Sequence, residues 1–334
     1  MNRRNFIWSS VKALTGLGFL PFVNCGKDDP QGLVDDNAVM PLRQSVQNPY
    51  VSGGNPILVS VSGGSSFEER LDAGLAEIGG LEPLLYQSSS VLVKPNLNAV
   101  DTYPAISSAD SLSYLVRKAV EAAPSTVYVG DASWQDPVDV YAHVGLENAV
   151  GPEGGEVIHF SEYRRVRAPH WDSSRSDSHV HRQVYDVSAI INFACLKRHF
   201  FAVMTCAMKN NVGTIAATGG TDDRAAFHAL YGDAVLREIA EIANLVRPEL
   251  NIIDAASALT VSGPMTSQGV VVHDIDMLII CGDIVATDLY CANLLAQHDS
   301  TFTADMVQVT LDHAAELGLG ENSLANVDVR EVSI

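Results

Sequence analysis

Short apolar runs alternate with amphipathic helical segments from about residue 56 to the C-terminus. The runs at 91–93 (VLV) and 126–129 (TVYV) have the length of buried strands, whereas FEERLDAGLAEI at 67–78 repeats its apolar residues at helical spacing. Alternation of strands and helices is typical of a sheet of parallel strands with helices on its faces. We therefore predict an α/β fold with a mainly parallel sheet flanked by helices.

The same alternation continues through the second half of the chain. The runs VSAIINF, LNIID and MLIICGD predict strands, and helices are expected over 234–246 and near 286–297 and 304–317. One stretch, residues 150–182, is rich in Gly, Ser, His and Arg and does not fit the alternation, which predicts a small antiparallel insertion there. We expect residues 55–334 to form a single domain, with a division into two lobes as the alternative.

The N-terminal 25 residues have the pattern of an export signal. Arg3 and Arg4 precede an apolar run over 13–23, which is too short to cross ~30 Å of hydrocarbon as a permanent anchor. The arginine pair favours a twin-arginine (Tat) signal over 1–25, with a Sec signal or a disordered tail as alternatives. The Tat export machinery is then an expected partner, and the periplasm or cell envelope the expected location.

Cys25 and the residues after it have the pattern of a lipoprotein processing site. The polar stretch 26–54 follows it, and we interpret this stretch as a tether and lead-in. Asn24 is larger than the residue usual before a lipidated cysteine, so lipid attachment and cleavage by an ordinary signal peptidase both stay open. Membrane attachment is expected only through a lipid on Cys25.

The charge of the chain excludes one class of partner. Its 21 basic residues are outnumbered by 40 acidic ones, which gives a net charge of −19. Such a surface repels nucleic acid, so any bound anion must be attracted by a local cluster of cations. Lysines are scarce, and three of them lie in the strand-end motifs: Lys94, Lys197 and Lys209.

The cysteines after Cys25 all lie in apolar surroundings, which favours buried free thiols over disulfides. They are Cys195, Cys206, Cys281 and Cys291. The sequence contains no CxxC pair, so a cysteine-ligated iron–sulfur cluster or a structural zinc is not expected.

Five apolar runs end in polar side chains. In an open parallel sheet, ligands bind at the carboxyl ends of the strands, so these side chains are expected to meet at one edge. The polar residues at the five strand ends are Lys94 with Asn96, Asp131, Lys197 with His199, Asp254, and Asp283.

A small anionic ligand is the expected partner of this edge. Lys94 and Lys209 are the predicted catalytic cations that neutralise carboxylate or phosphate oxygens, and Asn96 and Asn210 would orient the ligand by hydrogen bonds. His199 is the predicted acid/base, because an imidazole beside cations stays neutral and can accept a proton.

Four further residues complete the predicted binding site. Lys197 and His228 would contact the ligand or cofactor, and Gly213 would let the backbone pass close to it. Arg224 could clamp an anion, or pair instead with the acids at 222 and 223.

A divalent metal is the other cofactor that the pattern could accommodate. Asp131, Asp254 and Asp283 could hold it through carboxylate oxygens, although each of them could equally cap the following helix. His179 and His181 could share a strand face as ligands, but their polar surroundings favour exposure to solvent.

The motifs together resemble one known family. VLVKPNLN, VYVGDAS, INFACLKRHFFAVMTCAMKNNVGTI, LNIIDAASALTVSGPMTSQG and LIICGDIVATDLYCANLL are similar, in this order, to the domain-of-unknown-function 362 (DUF362) family, from about Pro56 to the C-terminus. The resemblance implies an α/β domain and redox or metal-associated chemistry, although this chain lacks the cysteine-rich cluster motifs of some members. The recurring polar residues of the family fall on Lys94, Asn96, Asp131, Lys197, His199, Lys209, Asn210, His228, Asp254, Asp283 and Asp288.

Three classes of function follow from these patterns. The first is an exported enzyme that acts on a small anionic substrate or cofactor, and the second is an envelope protein that binds an anion or a metal without transforming it. The third is a structural or interaction protein, in which the lysines would pair with internal acids and leave no pocket.

Overall fold

The computed structural model describes residues 34–39, 42–160, 165–215 and 223–334 of this chain, and residues 33–334 form one unit. The strands of the described residues are β1 (Val34–Val39), β2 (Val51–Ser52), β3 (Asn55–Ser62), β4 (Val91–Lys94), β5 (Val127–Val129), β6 (Gly155–Val157), β7 (Arg165–Pro169), β8 (Asp177–His181), β9 (Ala189–His199), β10 (Val203–Thr205), β11 (Leu250–Thr260), β12 (Val270–Val272), β13 (Met277–Cys281) and β14 (Asp328–Ser333).

The helices of the same residues are α1 (Phe67–Ile78), α2 (Glu82–Leu85), α3 (Ala109–Glu121), α4 (Pro137–Val144), α5 (Leu146–Val150), α6 (Arg182–Asp186), α7 (Ala207–Asn210), α8 (Asp223–His228), α9 (Asp233–Val246), α10 (Ile284–His298) and α11 (Gln308–Glu316). Short 3-10 helices cover Asn211–Thr214, Thr266–Gln268, Ala304–Val307 and Leu324–Asn326.

Local sequence signals set the ends of the helices. The Ser66 side chain accepts a hydrogen bond from the backbone of Glu69 at the start of α1, and Gly79 ends that helix at a φ of 84°, which favours glycine. Ser108 caps α3 in the same way. The helix predicted over 67–78 is therefore confirmed.

An 11-stranded sheet forms the centre of the domain. Its main path has the order β14-β3-β13-β11-β9-β4-β5-β6, and β2, β10 and β12 pair at its margins. The pairs β11·β9, β9·β4, β4·β5 and β5·β6 are parallel, whereas β13 is antiparallel to both β11 and β3. The predicted mainly parallel α/β fold is confirmed, and β13 is the strand of the main path that runs in the opposite direction.

Both faces of the sheet are buried. Ile190 packs in a core with residues of α9, α10 and α11, and its neighbour Ile191 packs on the opposite face with residues of α1 and α3. Successive side chains of a strand point to opposite faces, so a strand covered on both sides is apolar throughout. This explains why the central strands have unbroken apolar runs.

The region around 150–182 contains the predicted antiparallel pair. Strands β7 and β8 pair antiparallel, and β1 joins β7 in parallel to make a three-stranded sheet. The prediction missed β6, which lies inside the same stretch but extends the main sheet next to β5.

The segment 26–54 is predicted to be a tether, but the part of it around Arg43 and Tyr50 packs against the domain. Arg43 is buried and its guanidinium contacts Glu249 at 2.8 Å and the carbonyl of Arg247 at 3.0 Å, beyond the last turn of α9. Tyr50 is 1% exposed. A buried guanidinium needs such partners, so this segment is attached to the domain and is not a free tether.

The predicted signal segment 1–25, with Cys25, lies outside the described residues. Within the part of the chain that the structure does describe, none of the helices combines the length and apolarity needed to span a bilayer.

Candidate functional site

An open cleft lies at the carboxyl ends of β4, β5 and β9, with about 310 Å³ of empty space that includes solvent at its mouth. Seven of the predicted site residues line it: Asn96, Asp131, Lys197, His199, Lys209, Asn210 and Gly213. Asn98, Thr205, Arg224 and Pro264 complete the lining. Three parallel strands therefore bring their polar ends to a common edge, as the sequence predicts.

Lys94 lies behind the lining and is fully buried. Its Nζ contacts Asp131 Oδ1 at 2.8 Å and donates to the carbonyl oxygen of Pro95 at 3.0 Å. The second carboxylate oxygen of Asp131 accepts from the backbone N–H of Leu97 at 2.8 Å. The predicted ligand-neutralising role of Lys94 is thus replaced by a pairing with Asp131, which fixes the wall of the cleft.

Gly213 leaves room for this ion pair. A Cβ atom added at Gly213 would lie 2.9 Å from Lys94 Nζ and would collide with the Asp131 carboxylate. The close approach that the sequence predicts at this glycine is therefore to the paired side chains of Lys94 and Asp131.

We expect Gly213→Ala to separate the ion pair, because the added methyl group occupies the position of the carboxylate. The expected loss is about 1–3 kcal/mol in the free energy of unfolding. Urea denaturation monitored by circular dichroism measures this, and an unchanged midpoint would show that the backbone can move away at little cost.

A row of asparagine side chains connects the cleft to the centre of the sheet. Asn96 accepts from Lys197 Nζ at 2.7 Å and donates to Asn210 at 2.7 Å; Asn210 donates to Asn192 at 2.8 Å, and Asn192 donates to Asn251 at 2.9 Å. We call Asn96, Asn210, Asn192 and Asn251 the asparagine row. Its amides bond one another, so Asn96 and Asn210 hold Lys197 and the wall of the cleft in place.

Three cations line the cleft: Lys197, Lys209 and Arg224. Burial lowers the pKa of Lys197 to about 8. Burial, and then the charges of Arg224, Lys197 and Lys94, lower the pKa of Lys209 to about 7. Asp131 is the carboxylate among the described lining residues, and it is already paired with Lys94, so it does not neutralise Lys197 and Lys209.

The His199 ring is neutral and carries its proton on one nitrogen. Burial, followed by the charges of Lys209 and Lys197, holds its pKa well below its usual value. Its Nδ1 lies 3.2 Å from the backbone N–H groups of Phe201 and of Ala202, so Nδ1 is the acceptor and Nε2 carries the proton. The prediction of a neutral imidazole agrees with this, but the ring offers a donor and not a base.

Asp254 and Asp283 lie away from the cleft lining. Strand β11 extends six residues beyond Asp254, whose carboxylate accepts from the Tyr103 hydroxyl at 2.7 Å. Asp283 follows the antiparallel strand β13, so it lies at the opposite edge of the sheet, where it accepts from Val285 and Ala286 as the cap of α10. Asp283 therefore caps a helix, which is the alternative to metal binding that the sequence left open.

The metal site predicted from three aspartates is therefore not assembled. Asp131 bonds Lys94, Asp254 bonds a tyrosine, and Asp283 caps a helix at the other edge. Over residues 34–39, 42–160, 165–215 and 223–334, no group of three or more His, Cys, Asp or Glu side chains could hold a metal ion.

The predicted histidines outside the cleft have structural contacts. His228 donates from Nδ1 to the carbonyl of Arg224 at 2.7 Å and stacks against Phe201, with ring centroids 5.3 Å apart. It borders the cleft and does not line it. His179 and His181 are both buried rather than exposed, and His179 contacts Asp223 at 3.0 Å.

A second pocket lies beside the cleft and shares Lys209 with it. Asp288 lines this pocket and accepts from the backbone N–H of Ala207 at 2.8 Å, at the start of α7. Burial raises the pKa of Asp288 to about 7. Asp288 therefore accepts a hydrogen bond at the N-terminus of the helix that carries Lys209. The four predicted free cysteines are free and buried.

Asn192 and Asn251 are site-supporting residues that the sequence analysis missed. Each is a lone amide in a buried apolar strand, directly opposite the other in the β9·β11 register. A buried amide needs hydrogen-bond partners, so an asparagine within an apolar strand indicates a polar contact inside the sheet.

Comparisons with known proteins identify a matching family model and leave the activity open. A family model described as a domain of unknown function (DUF362) matches residues 91–293, more than half of the chain. No curated protein matches the sequence. The solved structure of the lactate racemase apoprotein from Thermoanaerobacterium thermosaccharolyticum is 12% identical, with a TM-score of 0.40, over 69% of this chain and 55% of that one. The chain thus spans about half the length of that structure, and a similarity this low does not bear on function.

Proposed function

The chain belongs to the DUF362 family of domains of unknown function, and from the geometry of its cleft we propose an enzyme that binds a small anionic substrate or cofactor there. The observation that carries the proposal is the positive charge of Lys197 and Lys209 in the lining of the cleft. Lys197, Lys209 and Arg224 line the cleft, while the lining carboxylate Asp131 is held by Lys94 and a backbone N–H. A carboxylate, phosphate or sulfonate group would relieve the repulsion among these cations.

The lining side chains suggest how an anion would be held. Lys197 and Arg224 supply charge, and the Nε2–H of His199 is a neutral donor that adds a directed hydrogen bond. Lys209, with its pKa near 7 in the empty cleft, is the group that can exchange a proton with a bound substrate. The proposed chemistry is therefore proton transfer, in which Lys209 exchanges one proton with the bound substrate and is restored by exchange with solvent.

A binding protein without turnover is the second candidate. It is favoured by His199, because backbone N–H groups occupy the nitrogen that would accept a proton. The two candidates differ in whether a bound ligand is released unchanged after long incubation, which mass spectrometry of the released ligand measures.

Anion binding should weaken as the pH rises. A bound anion favours the charged form of Lys209, whose pKa in the empty cleft is about 7, and then of Lys197, at about 8. Above these values binding must be accompanied by proton uptake, so affinity falls by about tenfold per pH unit for each proton taken up. Sulfate is a suitable probe because its charge is constant over this range, and calorimetric titration from pH 6 to 9 measures the slope.

Two controls make this test specific. Asp283→Asn changes a carboxylate at the opposite edge of the sheet and should leave the sulfate affinity unchanged. Buffers of different ionisation enthalpy should give different apparent binding heats above pH 7, since protons are taken up. A flat affinity over the whole pH range would contradict the proposed role of the lysines.

We also propose that the protein is exported by the Tat route to the periplasm or cell envelope, with membrane attachment limited to a lipid on Cys25. The adjacent Arg3 and Arg4 and the short apolar run that follows support this. Replacing both arginines with lysine in the full chain should retain the precursor in the cytoplasm, as seen by cell fractionation. Export that continues after this change would favour a Sec signal.

A further inference from the structure

Two strongly exposed aromatic side chains lie next to the cleft. Phe200 is 72% exposed and Trp134 is 62% exposed. The Phe200 ring stacks on His199, which lines the cleft, with centroids 5.5 Å apart and planes at 25°. The backbone N–H of Trp134 donates to the carbonyl of Asn98, another lining residue, at 2.8 Å.

Both rings are held by other aromatic groups. Trp134 meets the edge of His228 at 5.0 Å, and His228 stacks on Phe201 at 5.3 Å. His228 in turn bonds the backbone of Arg224, one of the cleft cations. We call Trp134, Phe200, Phe201 and His228 the aromatic rim. It borders the positively charged cleft through His199, Asn98 and Arg224.

Large apolar rings held in solvent by their neighbours present faces that a flat ligand can cover. Stacking of a planar ring on an aromatic side chain strengthens binding. A nucleic-acid strand is an unsuitable occupant, because the chain has a net charge of −19 and would repel a polyanion. A small ligand with one anionic group and one flat ring matches both surfaces at once.

We propose that the cleft and the aromatic rim together bind one ligand, which places its anionic group among Lys197, Lys209 and Arg224 and its planar aromatic ring against Trp134 or Phe200. This inference rests on the proposed function and narrows it, because it names the ligand class as an aromatic anion.

Matched sulfonates test the proposal in the full chain by calorimetric titration. Benzenesulfonate, cyclohexanesulfonate and methanesulfonate carry the same charge and differ in the attached group. Benzenesulfonate is expected to bind about 5- to 50-fold more tightly than methanesulfonate. The double variant Trp134→Ala/Phe200→Ala should lose this advantage and keep its methanesulfonate affinity.

The control is Trp171→Ala. Trp171 is 42% exposed, and its backbone N–H donates to Glu241 on α9, a residue that does not line the cleft. This variant should bind benzenesulfonate like the wild type. Trp134 and Phe200 are both exposed, so the double variant should fold normally, and circular dichroism checks this. The ligand series on the unaltered protein tests the proposal without any variant.

The outcomes separate the two proposals. Equal binding of benzenesulfonate and methanesulfonate would overturn the role of the aromatic rim while supporting the cleft. Binding of cyclohexanesulfonate as tight as that of benzenesulfonate would also overturn it, since stacking would then contribute nothing. If no sulfonate binds, the proposed function fails as well. A loss of benzenesulfonate affinity confined to the rim variant would support the inference.

Discussion

Replacing Lys94 with methionine is expected to destabilise the fold by about 3–5 kcal/mol. Lys94 Nζ and Asp131 Oδ1 lie 2.8 Å apart in a fully desolvated position, so the substitution leaves a buried carboxylate without its cation. Removing one partner of a buried ion pair lowers the free energy of unfolding by more than the intact pair contributes to it, because the remaining charge has no water to solvate it. Urea denaturation of both proteins at pH 7 measures the difference.

Two companion variants make this result interpretable. Lys118→Met removes a lysine whose ion pair with Asp72 is on the surface, and it should cost about 1 kcal/mol or less. The double variant Lys94→Met/Asp131→Asn removes both charges and should be more stable than Lys94→Met alone. If Lys94→Met keeps the stability of the wild type but loses anion binding, Lys94 contacts the ligand after all.

Replacing Lys209 with methionine is expected to have the opposite effect to Lys94→Met. Anion binding is lost while the fold is kept. Lys209 lines the cleft together with Lys197 and Arg224, and removing it should weaken sulfate binding by about 30-fold or more. Without a ligand, the ammonium of Lys209 is repelled by these cations. The variant should therefore unfold at an equal or higher urea concentration, with a gain of about 1 kcal/mol at pH 7.

The pH dependence of that gain follows from the pKa of Lys209. The pKa is about 7 in the folded protein and near 10.5 in the unfolded chain, so between these values the unfolded state binds the extra proton. The stability contributed by Lys209 consequently rises with pH over this window. The gain in stability of Lys209→Met over the wild type should be largest at or below pH 7 and should disappear toward pH 10. A variant that unfolds readily at pH 7 would instead show that Lys209 is structural.

The sequence predicted the strand ends well but could not predict their partners. The apolar runs before Lys94, Asp131 and Lys197 placed all three at one edge, because the carboxyl ends of parallel strands lie on the same side of the sheet. The pairing of Lys94 with Asp131 depends on strand order, since β5 lies directly beside β4. Strand order is a non-local property that a single sequence does not display.

Asp283 shows a second limit of the sequence pattern. The run MLIICGD would have the same apolar composition in either strand direction, because both faces of the central sheet are buried. Only the pairing of β13 with β11 and β3 reveals that this strand runs against its neighbours. His199 is similar: its neutral state follows from nearby cations, but its donor nitrogen is set by the tight turn that directs two backbone N–H groups at Nδ1.

The asparagine row also gives the central strands a unique alignment. Asn192 lies opposite Asn251 on one neighbouring strand and opposite Lys94 on the other. If β9 slipped by a single position, the Asn192 amide would turn to the other face of the sheet, among aliphatic side chains and without hydrogen-bond partners. Strands made only of valine and isoleucine would tolerate such a shift far better. The buried asparagines therefore disfavour sheets with shifted strand register, and the cleft forms only when the strands pair in the native register.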